Sequence, residues 1–162
     1  MSSADQELFN AAINGDAASA REAILKGADV SSTNELEKSP LICAAAAGHS
    51  VMVLLLIEAG AGLDVQGRFG MAALHHATSL EHEQIVKMLI DHGAAVDQQT
   101  ADGTTPLMIA AMRGNQGIVD LLLRYGADPD ISDDRSLTAA DLASEKGYVE
   151  LANLLDNARR KQ

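Results

Sequence analysis

A glycine returns at a fixed distance in this chain. It stands within the stretches "KGADV" (26–30), "EAGAG" (58–62), "DHGAA" (91–95) and "RYGAD" (124–128). Gly27, Gly60, Gly93 and Gly126 are thus each 33 residues after the last. A constant period of this length restricts the chain to architectures in which one small unit is stacked on copies of itself.

Two further combs share the period. Gly15, Gly48, Gly114 and Gly147 form one, with Glu81 at the missing tooth. The other holds "SPLI" (39–42), "AALH" (72–75), "TTPLM" (104–108) and "LTAAD" (137–141). Each unit reads as two short helices. Thr105 can cap the first, and Pro106 suits its first turn, where a missing N–H costs nothing. Leu107, Ala110 and Ala111 then recur at helical spacing, and Gly114 can end the helix in the left-handed region. Ile118, Val119, Leu121, Leu122 and Leu123 give a second helix with a broader apolar face, closed by Gly126. The polar stretch "ADPDISDDRS" supplies the turn to the next unit. A helix pair this short cannot bury its own apolar face, so neighbouring units must supply the core.

This pattern resembles the ankyrin repeat, most closely in "DGTTPLMIAAMRGNQGIVDLLLRYGADPD" at 102–130. The resemblance covers nearly the whole chain in about five units: 3–35, 36–68, 69–101, 102–134 and 135–162. It implies an all-α solenoid of antiparallel helix pairs, curved and edged by hairpin-like loops, forming a single domain over 1–162. The outer units depart toward polarity, as terminal caps must. In the first, Asn10, Asn14, Arg21 and Glu22 are polar and the Thr-Pro start is missing. In the last, Ala140 replaces the usual Leu. Glu81 stands where the family has Gly. Either the turn is altered there, or another gain offsets the roughly 1 kcal/mol cost of a left-handed residue with a Cβ.

Composition narrows the function. The chain has 162 residues and a formal charge of −11, which argues against nucleic acid or an anionic membrane as partner. The longest apolar run is "VMVLLLI" at 51–57, far short of the roughly 20 residues that span a bilayer. The start "MSSADQELFN" carries no signal-peptide pattern. Cys43 is the sole cysteine, in keeping with a reducing compartment. The expected location is the cytoplasm; nothing in the sequence excludes the nucleus.

Candidate chemistry is sparse. His75 and His76 are adjacent and point apart on a helix, so they make a poor metal chelate. By resemblance, His75 is expected to hydrogen-bond backbone between repeats, and His49 follows Gly48 as the family's Gly-His pair does. Cys43 has no activating neighbour in the sequence and reads as a small core residue. Asp64, Asp97 and Asp130 recur once per unit and are expected to form a solvated ladder or loop-capping bonds. No acid–base, nucleophile or metal constellation is visible, so no cofactor, no metal and no catalysis are expected. "VMVLLLI" places Val51 and Leu54 outward, either covered by neighbours or forming a second apolar surface.

The resemblance implies a protein–protein interaction module, binding another protein and monomeric when free. A regulatory or inhibitory subunit of a stable complex, or an enzyme with a groove site, are the alternatives. In this family partners are commonly held by loop tips and by the exposed flank of each first helix. The matching tip positions here are Leu36, Lys38, Arg68, Phe69, Met71, Asp102 and Thr104. The helix-end positions include Ser79, Leu80, Met112 and Arg113. Leu36, Phe69, Met71, Leu80 and Met112 are apolar where polar residues are usual, and Arg68 and Arg113 flank them. That is the make-up of an interface hot spot.

Overall fold

The computed structural model describes residues 1–160. Ten α-helices follow one another among the described residues: α1 (Ser3–Asn14), α2 (Ala17–Leu25), α3 (Pro40–Ala47), α4 (Ser50–Glu58), α5 (Ala73–Ser79), α6 (Glu83–Asp91), α7 (Pro106–Arg113), α8 (Gln116–Arg124), α9 (Ala139–Glu145) and α10 (Val149–Arg159). Extended structure is limited, among those residues, to an isolated antiparallel bridge between Ser132 and Thr138.

The odd-numbered helices form one layer, and each packs on its own even-numbered partner and on the odd-numbered helices beside it. The reason is side-chain size. Ala44, Ala45, Ala77, Ala110, Ala111 and Ala143 are fully buried and let these helices approach closely. The larger residues, Leu56, Leu74, Leu89, Leu107, Met108 and Ile118, fill the space between the layers, at 0–1% exposure. The even-numbered helices meet one another far more sparsely.

Starts and stops follow the sequence. Ser39, Thr105 and Thr138 accept hydrogen bonds from the amides of Ile42, Met108 and Asp141, and Pro40 and Pro106 sit in the first turns. Ala72 cannot cap α5. There His75 reaches back instead, its Nδ1 accepting from the Ala72 amide at 3.1 Å. The glycines that open the periodicity lie just beyond the even-numbered helices with φ of 84° to 95°. A Cβ on them would meet nothing within 4 Å. The left-handed turn, not crowding, is what asks for glycine at this place.

The second comb shares the left-handed backbone, with φ of 69° to 84°, and adds crowding at Gly15, Gly48 and Gly114 but not at Gly147. A Cβ on Gly48 would come within 2.9 Å of the His82 ring, and one on Gly114 within 2.6 Å of the Tyr148 ring. The residue 34 positions after Glu81 is Asn115, which brings no ring. Glu81 keeps the left-handed backbone at φ 61°, and its Oε2 accepts from Asn115 Nδ2 at 3.0 Å. The missing tooth is thus tolerated because its neighbour changed with it, and the contact offsets part of the backbone cost. Asn115→His should destabilise the parent by about 1–3 kcal/mol through overpacking against Glu81, and should cost less in Glu81→Gly. Chemical denaturation of the four proteins measures the coupling; strictly additive effects would refute it.

The recurring aspartates bind unit to unit. Asp64 Oδ1 accepts from the Ala95 amide at 2.9 Å and Asp97 Oδ1 from the Asp128 amide at 3.0 Å, while Asp130 pairs with Arg159 at 2.6 Å. Ser31 Oγ plays the same part toward the Gly62 amide. His49 and His82 tie the opposite end, reaching the carbonyls of Ile13 and Ala46 at 3.0 and 3.3 Å. Apart from the Asp130–Arg159 ion pair, each contact satisfies a backbone group left open at a turn or helix end.

Candidate functional site

The hairpin tips and the odd-numbered helices form two walls of a concave cavity of about 680 Å³. Phe69, Met71, Thr100, Asp102, Thr104 and Asp134 stand on the loop wall, and Ser79, Ile109, Met112, Arg113 and Lys146 on the helix wall. Phe69 is 69% exposed. Its ring carries the Arg68 guanidinium 4.9 Å from the centroid. Arg113 donates to Ser79 Oγ at 3.1 Å, which fixes the head group across two neighbouring helices. Thr100 Oγ1 donates to Asp102 and holds that carboxyl below the usual range.

Of the residues singled out in the sequence, Phe69, Met71, Ser79, Asp102, Thr104, Met112 and Arg113 line the cavity together. Leu36, Lys38, Arg68 and Leu80 lie outside its lining. Leu36 and Leu80 are nonetheless exposed, at 59% and 49%. Thr100, Ile109, Asp134 and Lys146 were not singled out. Lys146 was legible, since it stands 33 residues after Arg113 at a helix end.

The loop wall owes its shape to Gly67. In the other hairpins the corresponding side chain caps its own tip. Asn34 Oδ1 accepts from the amides of Leu36 and Lys38, Thr100 Oγ1 from that of Thr104, and Asp133 Oδ1 from those of Arg135 and Leu137. Gly67 has no side chain to do this. A Cβ there would sit 2.5 Å from the Glu37 carbonyl oxygen, so the close approach of the preceding hairpin excludes one. The uncapped tip winds into a 3₁₀ turn over Arg68–Gly70, with Phe69 at φ 61° and ψ 19°. A bulky residue in this region is a conformational outlier.

Below the cavity, burial controls two histidines. His75 is fully buried, its Nε2 2.8 Å from the Gln98 carbonyl, and burial lowers its pKa. That carbonyl belongs to the end of its own unit, at the junction with the next. His76 is half-buried, and burial, with Lys38 and His75 nearby, lowers its pKa to about 4. Both are harder to protonate folded than unfolded. Full stability is therefore present above pH 6.5 and is lost as the pH falls toward 4. His76→Gln should flatten this limb by on the order of 2 kcal/mol between pH 7 and about pH 4.5. Urea midpoints measured across that range check it; an unchanged slope would contradict it.

Elsewhere the groups are inert or structural. Cys43 is buried, which pushes its thiol up. Among the described residues no group of three or more His, Cys, Asp or Glu side chains is arranged to hold a metal ion. No helix among them is long and apolar enough to cross a membrane. On the outer layer Val51 is 67% exposed, while Leu54 is half-buried.

The family model described as Ankyrin repeats (3 copies) matches residues 8–100 and again 92–161. The chain belongs to the ankyrin-repeat family. No curated protein matches it. Members of the family are generally protein–protein interaction modules, and they typically act without catalysis.

Proposed function

We propose that this chain is a non-catalytic recognition module that binds another protein along the wall of hairpin tips and odd-numbered helices. The observation that carries the reading is the cavity between Phe69 and Met112, an apolar concavity on a protein whose other apolar side chains are largely committed to the stack. Its lining holds hydroxyls, two carboxylates and two cations but neither histidine nor cysteine, and the carboxylate that Thr100 Oγ1 meets, Asp102, is held below the usual range and is a weak base. A charge of −11 disfavours nucleic acid, and duplex DNA should show no mobility shift at physiological salt. The same charge opposes self-association, so the free protein should elute as a monomer near 17.0 kDa. The proposed location is the cytoplasm.

The test is affinity capture followed by cross-linking and mass spectrometry. Cross-links to partners from Lys146 and Lys38 that disappear on Met112→Asp support the reading. Cross-links insensitive to Met112→Asp and abolished by Val51→Asp would move the site to the outer layer.

A further inference from the structure

The geometry points to an extended segment of the partner that inserts one large apolar side chain between Phe69 and Met112 and sets an adjacent carboxylate against Arg113 and Lys146. This rests on the reading that the cavity wall is the binding surface. It goes beyond that reading in naming what the cavity selects.

The apolar part follows from the lining. Phe69, Met71, Ile109 and Met112 surround the opening, and thioether side chains adapt to the shape of an inserted group. The charged part follows from an imbalance. The chain has 23 acidic residues against 12 lysines and arginines, yet among the described residues neither Arg113 nor Lys146 is ion-paired with a carboxylate. Lys26, Lys87, Arg135 and Arg159 are, whereas Arg21, Lys38, Arg68 and Arg124 are not; what sets Arg113 and Lys146 apart is that both stand on one wall of the apolar cavity. Arg113 instead donates to the Ser79 hydroxyl, which leaves its remaining N–H groups open. The opposite wall carries Asp102 and Asp134, so a carboxylate is accepted only on the helix side. With the whole chain at −11, long-range attraction for an acidic segment is absent, and the carboxylate is read at contact.

Phe69 adds an independent sign. It is held in the left-handed region, exposed, at the rim of the cavity. Glycine would relieve the backbone there. A strained, exposed aromatic residue that stability does not require marks a place where binding does.

A phage-displayed library of random 12-residue peptides, selected on the full-length chain, tests the chemistry. The expected consensus is a large apolar residue beside Asp or Glu. In the selected peptide made synthetically, exchanging that acid for its amide should weaken binding about tenfold to the parent and less than threefold to an Arg113→Met, Lys146→Met double variant. Phe69→Gly should weaken binding at least tenfold with a melting temperature equal to or above the parent's. An acid-free or basic consensus, an indifferent amide exchange, unchanged binding by Phe69→Gly, or a library that yields no binder would each overturn the proposal. If Met112→Asp still abolishes binding in those cases where a peptide binds, the cavity remains the site and only its selectivity is wrong. If Met112→Asp is indifferent and Val51→Asp is not, the site reading falls as well.

Discussion

His75→Ala is expected to destabilise the fold by about 3 kcal/mol, the largest effect of any single polar side chain in the stack. His75 has no exposed surface, and its two ring nitrogens serve different backbone groups. Nδ1 accepts from the Ala72 amide, the N-terminal group of α5 that Ala72 itself cannot cap. Nε2 meets the Gln98 carbonyl at the start of the next hairpin. Alanine would leave both groups without a partner and open a cavity beneath them. His75→Met separates the two losses. It retains most of the volume, and Met108 at the same place one unit later accepts from the Thr105 amide through its sulfur at 3.4 Å, so the remaining deficit of about 1–3 kcal/mol reads chiefly the lost Gln98 bond. Equilibrium denaturation measures both variants. A loss under 1 kcal/mol for His75→Ala would mean that water or a neighbouring side chain replaces the imidazole.

Phe69→Ala is expected to weaken partner binding by about 1–3 kcal/mol while leaving the melting temperature nearly unchanged. The ring is exposed and contributes no core contact, and its main neighbour is the Arg68 guanidinium. Removing it therefore takes apolar surface from the rim without opening the interior. Leu80→Ala should cost less, because Leu80 lies outside the cavity lining, although it is also exposed. Titration calorimetry against the selected peptide or a captured partner distinguishes them. Equal losses for the two variants would show that the interface extends past the end of α5, and no loss for Phe69→Ala would remove the rim from the interface.

The fold was largely legible because its causes are local and repeat. A left-handed turn favours glycine, so Gly27, Gly60, Gly93 and Gly126 announce four of the helix ends directly. The consequence of Glu81 was only half legible. The sequence shows the missing glycine, but its tolerance depends on a side chain 34 residues away, where Asn115 replaces the rings found beyond Gly48 and Gly114. The site was legible in part for the same reason. Phe69, Met112 and Arg113 occupy known positions of the unit, so their periodic place identifies them. What period cannot give is the shape of one exceptional hairpin. Gly67 reads as an ordinary loop glycine until the Glu37 carbonyl is seen beside it, and only then does the turn of Phe69 follow. Thr100 and Asp134 join the site through the stacking of consecutive units, a relation between residues far apart in sequence, whereas Lys146 is marked by its period from Arg113.

The proposed docking surface is the hairpin-tip and odd-helix wall, not the outer layer. Amide hydrogen exchange of the full chain, free and saturated with the selected peptide, tests it most directly. Slowed exchange is expected at 67–71 and 100–104 and in α7, with α4 and α6 unchanged. Protection confined to α4 around Val51 and Leu54, with 67–71 and 100–104 exchanging as in the free protein, would contradict it.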